Sequence, residues 1–339
     1  MRNFVLGLAA AAAIATVAAP AQAGETLDAV KARGTFKCGQ GTGTPGFGFA
    51  DDKGVWQGLN ADLCRAIATA VFADPAKVDF VSLTAQQRFP AVQTGEVDAI
   101  AGNTTFTLTR DTKNGLNFAP PFFYDGQAMM VRKDLGVSSA RDLNGATVCL
   151  QPGTTSELNI TDYFRANGME FTPVVIENVA EVRSAFFSGR CDVYTTDASL
   201  LAGARVASEK PDDYVILPER ISKEPLAAIV RHGDDQWYDI VRWTMYVLIE
   251  AEELGITRDN ADTFLDNANP SIRRFLGEEP GLGEALGVDD KFAYNIIKAV
   301  GNYGEIYDRW VGPDTPLALE RGLNKLWRDG GLMYAAPFR

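Results

Sequence analysis

The chain has 339 residues, 46% hydrophobic and 22% charged, the mixture of a folded protein and not of a disordered or fibrous one, and its length suits about two domains. Its 32 Lys and Arg against 44 Asp and Glu give a formal charge of −12, which argues against a nucleic-acid partner, because phosphate binding needs concentrated Lys and Arg. A single histidine, His232, removes His-based triads and multi-His metal sites, and no metal site is expected.

At the N-terminus, Arg2 opens a short basic segment and Phe4 to Val17 form an Ala-rich apolar run. Pro20 and the triplet Ala21-Gln22-Ala23 follow, with the small-x-small pattern of a signal peptidase site. The run is short for a membrane span of about 20 residues. Residues 1–23 are therefore expected to be a cleaved signal peptide and the remainder to be exported and soluble. The later apolar stretch Trp243–Ile249 is also short, and Glu250, Glu252 and Glu253 end it. In an oxidising compartment four cysteines read as two disulfides, with three possible pairings. The sequence-local choice is Cys38 with Cys64 and Cys149 with Cys191, one pair in each half. No CxxC motif points to thiol chemistry.

The segment Gly34–Cys38 reads as a short strand entering a Gly-rich loop. Gly41, Gly43 and Gly46 match a G-x-G-x-x-G spacing, but no helix pattern opens there and Phe47–Trp56 is aromatic and turn-like. Dinucleotide binding is accordingly rejected in favour of a loop lining a cleft. Further on, Ala91–Ile100 (AVQTGEVDAI) and Ala185–Tyr194 (AFFSGRCDVY) repeat one pattern at an offset of 94 residues: a helix end, a Gly cap and a β-rich strand. Gly145–Cys149 likewise parallels Gly34–Cys38. These correspondences predict two similar lobes, each an α/β sheet with helices between short strands. Ligands of such sheets gather beyond the carboxyl ends of strands. That rule points to Asn103, Thr104 and Thr105 in the first lobe and to Thr195, Thr196 and Asp197 in the second, with Asn103 and Asp197 at equivalent repeat positions.

After the strand at 146–151, Pro152-Gly153-Thr154-Thr155-Ser156-Glu157 leads into the helical pattern Leu158–Ala166. Small hydroxyl residues at a helix start offer free N–H groups to an anion, and Thr155 or Ser156 would also serve as a plain N-cap. Asp234-Asp235 reads as the acidic start of a helix, and His232 as a solvated loop residue. Leu317–Trp327 reads as a docked terminal helix.

Several stretches resemble the polar amino-acid-binding proteins of bacterial ABC importers, and most closely the general L-amino-acid branch of solute-binding protein family 3. They are Cys38-Gly39, Gly54–Leu59 (GVWQGL), Leu63–Ile67 (LCRAI), Asn103–Asp111 (NTTFTLTRD), Gly153–Glu157, Ala293–Glu305 (AYNIIKAVGNYGE), Leu319–Trp327 and Gly330–Tyr334. The resemblance covers essentially the whole chain after residue 23. It implies a two-lobe α/β periplasmic binding protein fold (type II), with a central cleft and a two-stranded hinge. The first lobe is expected over 24–131 and the second over 132–230, with 231–339 returning to the first lobe and adding a C-terminal helical extension. A disulfide across the cleft would tether lobes that must open, which favours the sequence-local pairing.

By the same resemblance, Arg110 grips the ligand α-carboxylate. Thr105 assists it from the first lobe, and Thr155, with help from Ser156, from the second. Asn103 and Asp197 take the α-ammonium, and Arg88 meets the side chain of an acidic ligand. The sequence departs from the branch pattern at three positions bordering the cleft, with Gly102 for Arg, Phe106 for Trp and Asn60 for Asp. The implied function is to bind L-amino acids of broad range, with a polar or acidic preference, in the periplasm and to deliver them to the permease subunits of an ABC importer. A monomer without enzymatic activity or cofactor is expected. The alternative is a periplasmic dehydratase of the cyclohexadienyl type on the same fold, for which Glu157 is the nearest general acid.

Overall fold

The computed structural model describes residues 24–339, so the expected signal peptide at 1–23 lies outside the described residues. Two five-stranded sheets organise the chain. In the first, Val78–Ser82, Phe36–Gln40 and Ala99–Ile100 run parallel, and Ile229–Arg231 and Leu116–Phe118 complete the sheet, each antiparallel to its neighbour. The second repeats this order with Thr172–Val175, Thr147–Leu150, Val193–Asp197, Gln127–Arg132 and Tyr214–Ile216.

The predicted repeat thus appears as one topology built twice. The helix Arg88–Thr94 stops at Gly95 with φ 76°, and Val179–Phe187 is followed by Gly189 at φ 81°, a left-handed conformation that glycine adopts without strain. Past each glycine an aspartate locks the next strand to its neighbour. Asp98 Oδ2 accepts from the Lys37 N–H at 2.7 Å, and Asp192 Oδ2 from the Thr147 N–H at 2.9 Å.

The central parallel strands are covered on both faces, and Phe36, Cys38, Ala99, Val148, Leu150 and Val193 are buried. In the first sheet, Phe36 and Cys38 pack under the helix Leu59–Phe72 and against Trp237, Ile296 and Ile297 from the C-terminal half. In the second, Val148, Leu150 and Val193 pack against Ile160 and Phe164, and Tyr194 against Phe186. The disulfides Cys38–Cys64 and Cys149–Cys191 each lie within one of these cores, with Cα separations of 6.1 and 5.7 Å.

The chain passes between the sheets twice, through Phe123–Asp125 and Glu224–Leu226, which pair antiparallel with Glu224 opposite Asp125. The expected lobe boundaries at 131/132 and 230/231 lie a few residues beyond these crossings. They fall inside the strands Gln127–Arg132 and Ile229–Arg231, because each crossing strand runs almost directly into a sheet.

Asp234 caps the helix Asp235–Glu253 by accepting from the Trp237 N–H at 2.9 Å, and its other oxygen accepts from the Thr26 N–H at 2.8 Å. His232 is an exposed loop residue. Among the described residues no helix is long and apolar enough to cross a membrane. The terminal helix expected over Leu317–Trp327 is absent. Only the short turns Gly322–Asn324 and Trp327–Asp329 form, because Ala318 and Gly322 hold left-handed φ of 48° and 47°, which a right-handed helix does not accommodate. This tail fastens the hinge instead. Asn324 Oδ1 accepts from the Tyr124 N–H at 2.7 Å, and its Nδ2 donates to the Tyr124 carbonyl at 3.2 Å.

Replacing Cys149 and Cys191 together by Ser is expected to cost about 2–4 kcal/mol, since the bond closes a loop in the unfolded chain. Urea unfolding should show this as a lower midpoint; an unchanged midpoint would mean the second lobe does not depend on the bond.

Candidate functional site

The carboxyl ends of the parallel strands in the two sheets face each other across a cavity of about 100 Å³. Its wall includes Gly41, Thr42 and Thr44 from the Gly-rich loop, which holds no helix, and six residues singled out from the sequence: Arg88, Asn103, Thr105, Thr155, Ser156 and Asp197. The lobes are closed on it. Thr84 Oγ1 donates to Glu177 Oε1 across the rim at 2.6 Å. On the second-lobe helix Ala198–Val206, a Cβ at Gly203 would stand 2.8 Å from the Pro45 carbonyl of the first lobe, closer than a side chain allows.

Arg110, only 7% exposed, packs behind the wall without contributing to it. Its NH1 donates to the Thr105 carbonyl at 2.9 Å, and its guanidinium lies 5.1 Å from the centre of the Phe89 ring. No ion pair forms with the adjacent Asp111. Arg88 faces the same ring at 4.8 Å and donates through NH1 to the Asn103 carbonyl at 3.1 Å, while its Nε is buried without a partner. Burial, and secondarily the charge of Arg110, push the Arg88 pKa down to about 9, still well above neutral, so its charge is kept. Burial likewise lowers that of Arg110, against which Glu224 and Asp197 act.

Asp197 ends the strand Val193–Asp197 and stands at the N-cap of the next helix, yet its side chain makes no cap hydrogen bond. It is 6% exposed. Burial, then the charges of Asp125 and Glu224, hold its pKa well above the usual carboxylate range, and the two arginines only partly offset them. Asn103 Oδ1 accepts from Asn60 Nδ2 at 2.6 Å, leaving Asn103 Nδ2 and Asn60 Oδ1 without partners. In this orientation Asn103 offers a donor, not the acceptor expected of it. Reversing both amides keeps the same bond and presents Asn103 Oδ1 instead.

The helix Thr155–Ala166 is capped by Thr154, whose hydroxyl accepts from the Glu157 N–H at 3.2 Å, and not by Thr155 or Ser156 as expected. With Thr154 as the cap, the Thr155 hydroxyl turns to the cleft side, where it donates to Glu224 Oε2 at 2.9 Å. Glu157, the general acid of the dehydratase alternative, accepts from the Gly153 N–H at 2.9 Å and braces this loop. Of the departures from the family pattern, Gly102 adds no side chain to its part of the wall, and Phe106, 41% exposed, stacks on Phe118 with ring centres 4.6 Å apart.

Two polar residues of the site escaped the sequence reading. Gln127, fully buried at the start of its strand, donates to the Ser156 carbonyl at 3.0 Å and to Thr195 Oγ1 at 2.8 Å. Glu224 is 1% exposed on the second crossing strand. It accepts from the hydroxyls of Thr105 and Thr155, from Asn159 Nδ2 at 2.8 Å and from Ser222 Oγ at 2.6 Å. Neither sits in a repeat or a helix start, and their partners are distant in sequence, so no local pattern marks them.

Comparison with known proteins agrees with this geometry. Residues 36–259 match the bacterial extracellular solute-binding proteins, family 3. The chain is 51% identical to the general L-amino acid-binding periplasmic protein AapJ of Rhizobium johnstonii, over 100% of both chains. It is also 51% identical to the glutamate/glutamine/aspartate/asparagine-binding protein BztA of Rhodobacter capsulatus, over 96% of this chain and 97% of that one. A solved ABC transporter/periplasmic binding protein from Brucella ovis with glutathione bound superposes with a TM-score of 0.91, at 52% identity, covering 93% of this chain and 99% of that one. The fold is the type II periplasmic binding protein fold.

The raised pKa of Asp197 carries a stability consequence. Its folded value lies above the unfolded 3.8, so the unfolded chain ionises first and the fold loses stability as pH rises through that window. Asp197→Asn is therefore expected to melt higher than the wild type at neutral pH without ligand, and to lose less stability as pH rises above the unfolded value. Identical melting curves across that range would show that Asp197 is not strained by burial.

Proposed function

The chain belongs to the bacterial extracellular solute-binding proteins, family 3, and we propose that it binds L-amino acids of broad range, with a polar or acidic preference, in the periplasm and delivers them to the permease of an ABC importer. The observation that carries this reading is the closed cavity flanked by two buried guanidinium groups and one buried, uncapped carboxylate. A zwitterion supplies the two charges such a site lacks: a carboxylate toward Arg110 and an ammonium toward Asp197. AapJ and BztA are named for binding amino acids of this chemistry.

In this reading the first lobe comprises the chain up to the first crossing strand and from the second crossing strand onward, the second lobe the chain between them. The ligand lands on the first lobe, at Arg110, Thr105, Asn103 and Arg88. Closure then adds Thr155, Ser156 and Asp197 from the second lobe, and these extra contacts shift the population to the closed form that the permease reads. The closed cavity of about 100 Å³ holds the equivalent of about three water molecules, which suits one small amino acid. Larger ligands, of the kind bound in the Brucella ovis relative, would hold the lobes wider.

Arg110→Ala is expected to abolish amino-acid binding in isothermal titration while the circular dichroism spectrum stays unchanged. Stranding one charge of a buried pair costs about 2–5 kcal/mol, and wild-type affinity in this variant would sink the assignment. Arg88→Met separates side-chain recognition from zwitterion recognition. It should lose at least about 1.4 kcal/mol more for glutamate than for alanine or leucine, a factor of ten. An equal loss for all three would reduce Arg88 to a prop for the Asn103 carbonyl.

A further inference from the structure

Glu224 is touched from both lobes at once. Thr105 of the first lobe and Thr155 of the second both donate their hydroxyl protons to Oε2, the latter at 2.9 Å, and the two hydroxyl oxygens are 3.3 Å apart. Asn159, one turn along the helix from Thr155, donates to Oε1 at 2.8 Å, and Ser222, in the loop just before the crossing strand, at 2.6 Å. Thr105 also joins Glu224 to Arg110, since its carbonyl takes the Arg110 NH1 while its hydroxyl serves Glu224.

From this arrangement we infer that Glu224 is a specificity-determining residue of the cleft, whose negative charge, held behind Thr105 and Thr155, balances the second guanidinium and lets the site accept uncharged side chains as well as acidic ones. The inference rests on the amino-acid reading above and deepens it. Two physical steps carry it. First, a threonine that has given its only proton to Glu224 has lone pairs alone to turn toward the cavity, so Thr105 and Thr155 present acceptors there and not donors. This redirects their hydroxyls from the ligand carboxylate, where they were expected, toward groups that donate.

Second, the buried charges near the cavity are Arg88, Arg110, Asp197 and Glu224, with Asp125 across the hinge strand from Glu224. Asp125 has the charge of Arg220 acting on it in turn, so with Glu224 ionised the remaining two positive groups meet two negative ones, and a neutral zwitterion leaves the balance intact. Remove that charge and one guanidinium is uncompensated, so a glutamate side chain gains relative to its uncharged amide. The field of Glu224 is felt at each of the other three: it favours the charged forms of Arg88 and Arg110 and disfavours that of Asp197. A residue that merely stapled the hinge would weaken every ligand alike.

The test is isothermal titration of the full exported chain with L-glutamate and L-glutamine at neutral pH. Glu224→Gln keeps the size and most hydrogen bonds, and it is expected to shift the affinity ratio toward glutamate by about fivefold or more. Asn159→Lys places an ammonium beside Oε1, offsets that charge, and is expected to move the ratio toward glutamate as well. Equal changes for the two ligands in Glu224→Gln, or no change, overturn the inference while leaving amino-acid binding standing. If circular dichroism shows that Glu224→Gln does not fold, Asn159→Lys decides: a shift toward glutamate supports the inference and an unchanged ratio overturns it. A wild-type protein that titrates neither amino acid overturns the amino-acid reading and this inference with it.

Discussion

Charge held out of water between two sheet ends is the constraint around which this protein is arranged. An isolated buried ion costs several kcal/mol, so Arg88, Arg110, Asp197 and Glu224 are tolerable only near one another or near a ligand that completes them. The four come from three separate parts of the chain: the first lobe, the second lobe and the crossing strand between them. Their mutual compensation therefore exists only when the lobes are closed, and opening exchanges it for hydration. The balance between those two states is what a zwitterion can tip.

The fold supplies the means to bring the charges together with little cost in backbone strain. One topology is built twice, so both sheets aim the carboxyl ends of their parallel strands at the same cavity, and the helices starting at Thr155 and Ala198 direct their N-termini there. The crossing is narrow, only three residues in each strand, which lets the lobes move as bodies. Its outer side is not free. Asn324 makes a paired hydrogen bond to the main chain of Tyr124, and Tyr303 donates to the Phe122 carbonyl at 2.7 Å, so the C-terminal segment backs the hinge from the first lobe.

Aromatic and sulfur groups do the remaining positioning. The Phe89 ring lies against both arginines, which gives two like charges a shared, polarisable partner without hydrating either. Gln40, buried beneath the Gly-rich loop, donates to the Ala101 carbonyl at 2.7 Å and lies beside the Cys38–Cys64 bond, tying that disulfide to the strand end that carries Asn103. The disulfide thus reaches the cavity through one amide.

What the sequence determined by itself was what local pattern can encode. Alternating strands and helices, glycine caps at positions 95 and 189, the repeat at 94 residues and the strand-end rule together placed Asn103 and Asp197 at one cavity before any coordinates. Family resemblance added Arg88, which lines that cavity, and Arg110, which packs behind its wall. Tertiary structure alone decided what depends on distant partners. Glu224 acquires its setting from Thr105, which lies 119 residues away, and Asn324 from Tyr124, 200 residues away. The terminal segment that pattern marks as a helix becomes a hinge brace because the left-handed Ala318 and Gly322 interrupt it. Hydrophobic periodicity fixes which face of an element is buried; it carries no record of which buried polar group will meet another across a cleft, since that is settled only when both sheets are in place.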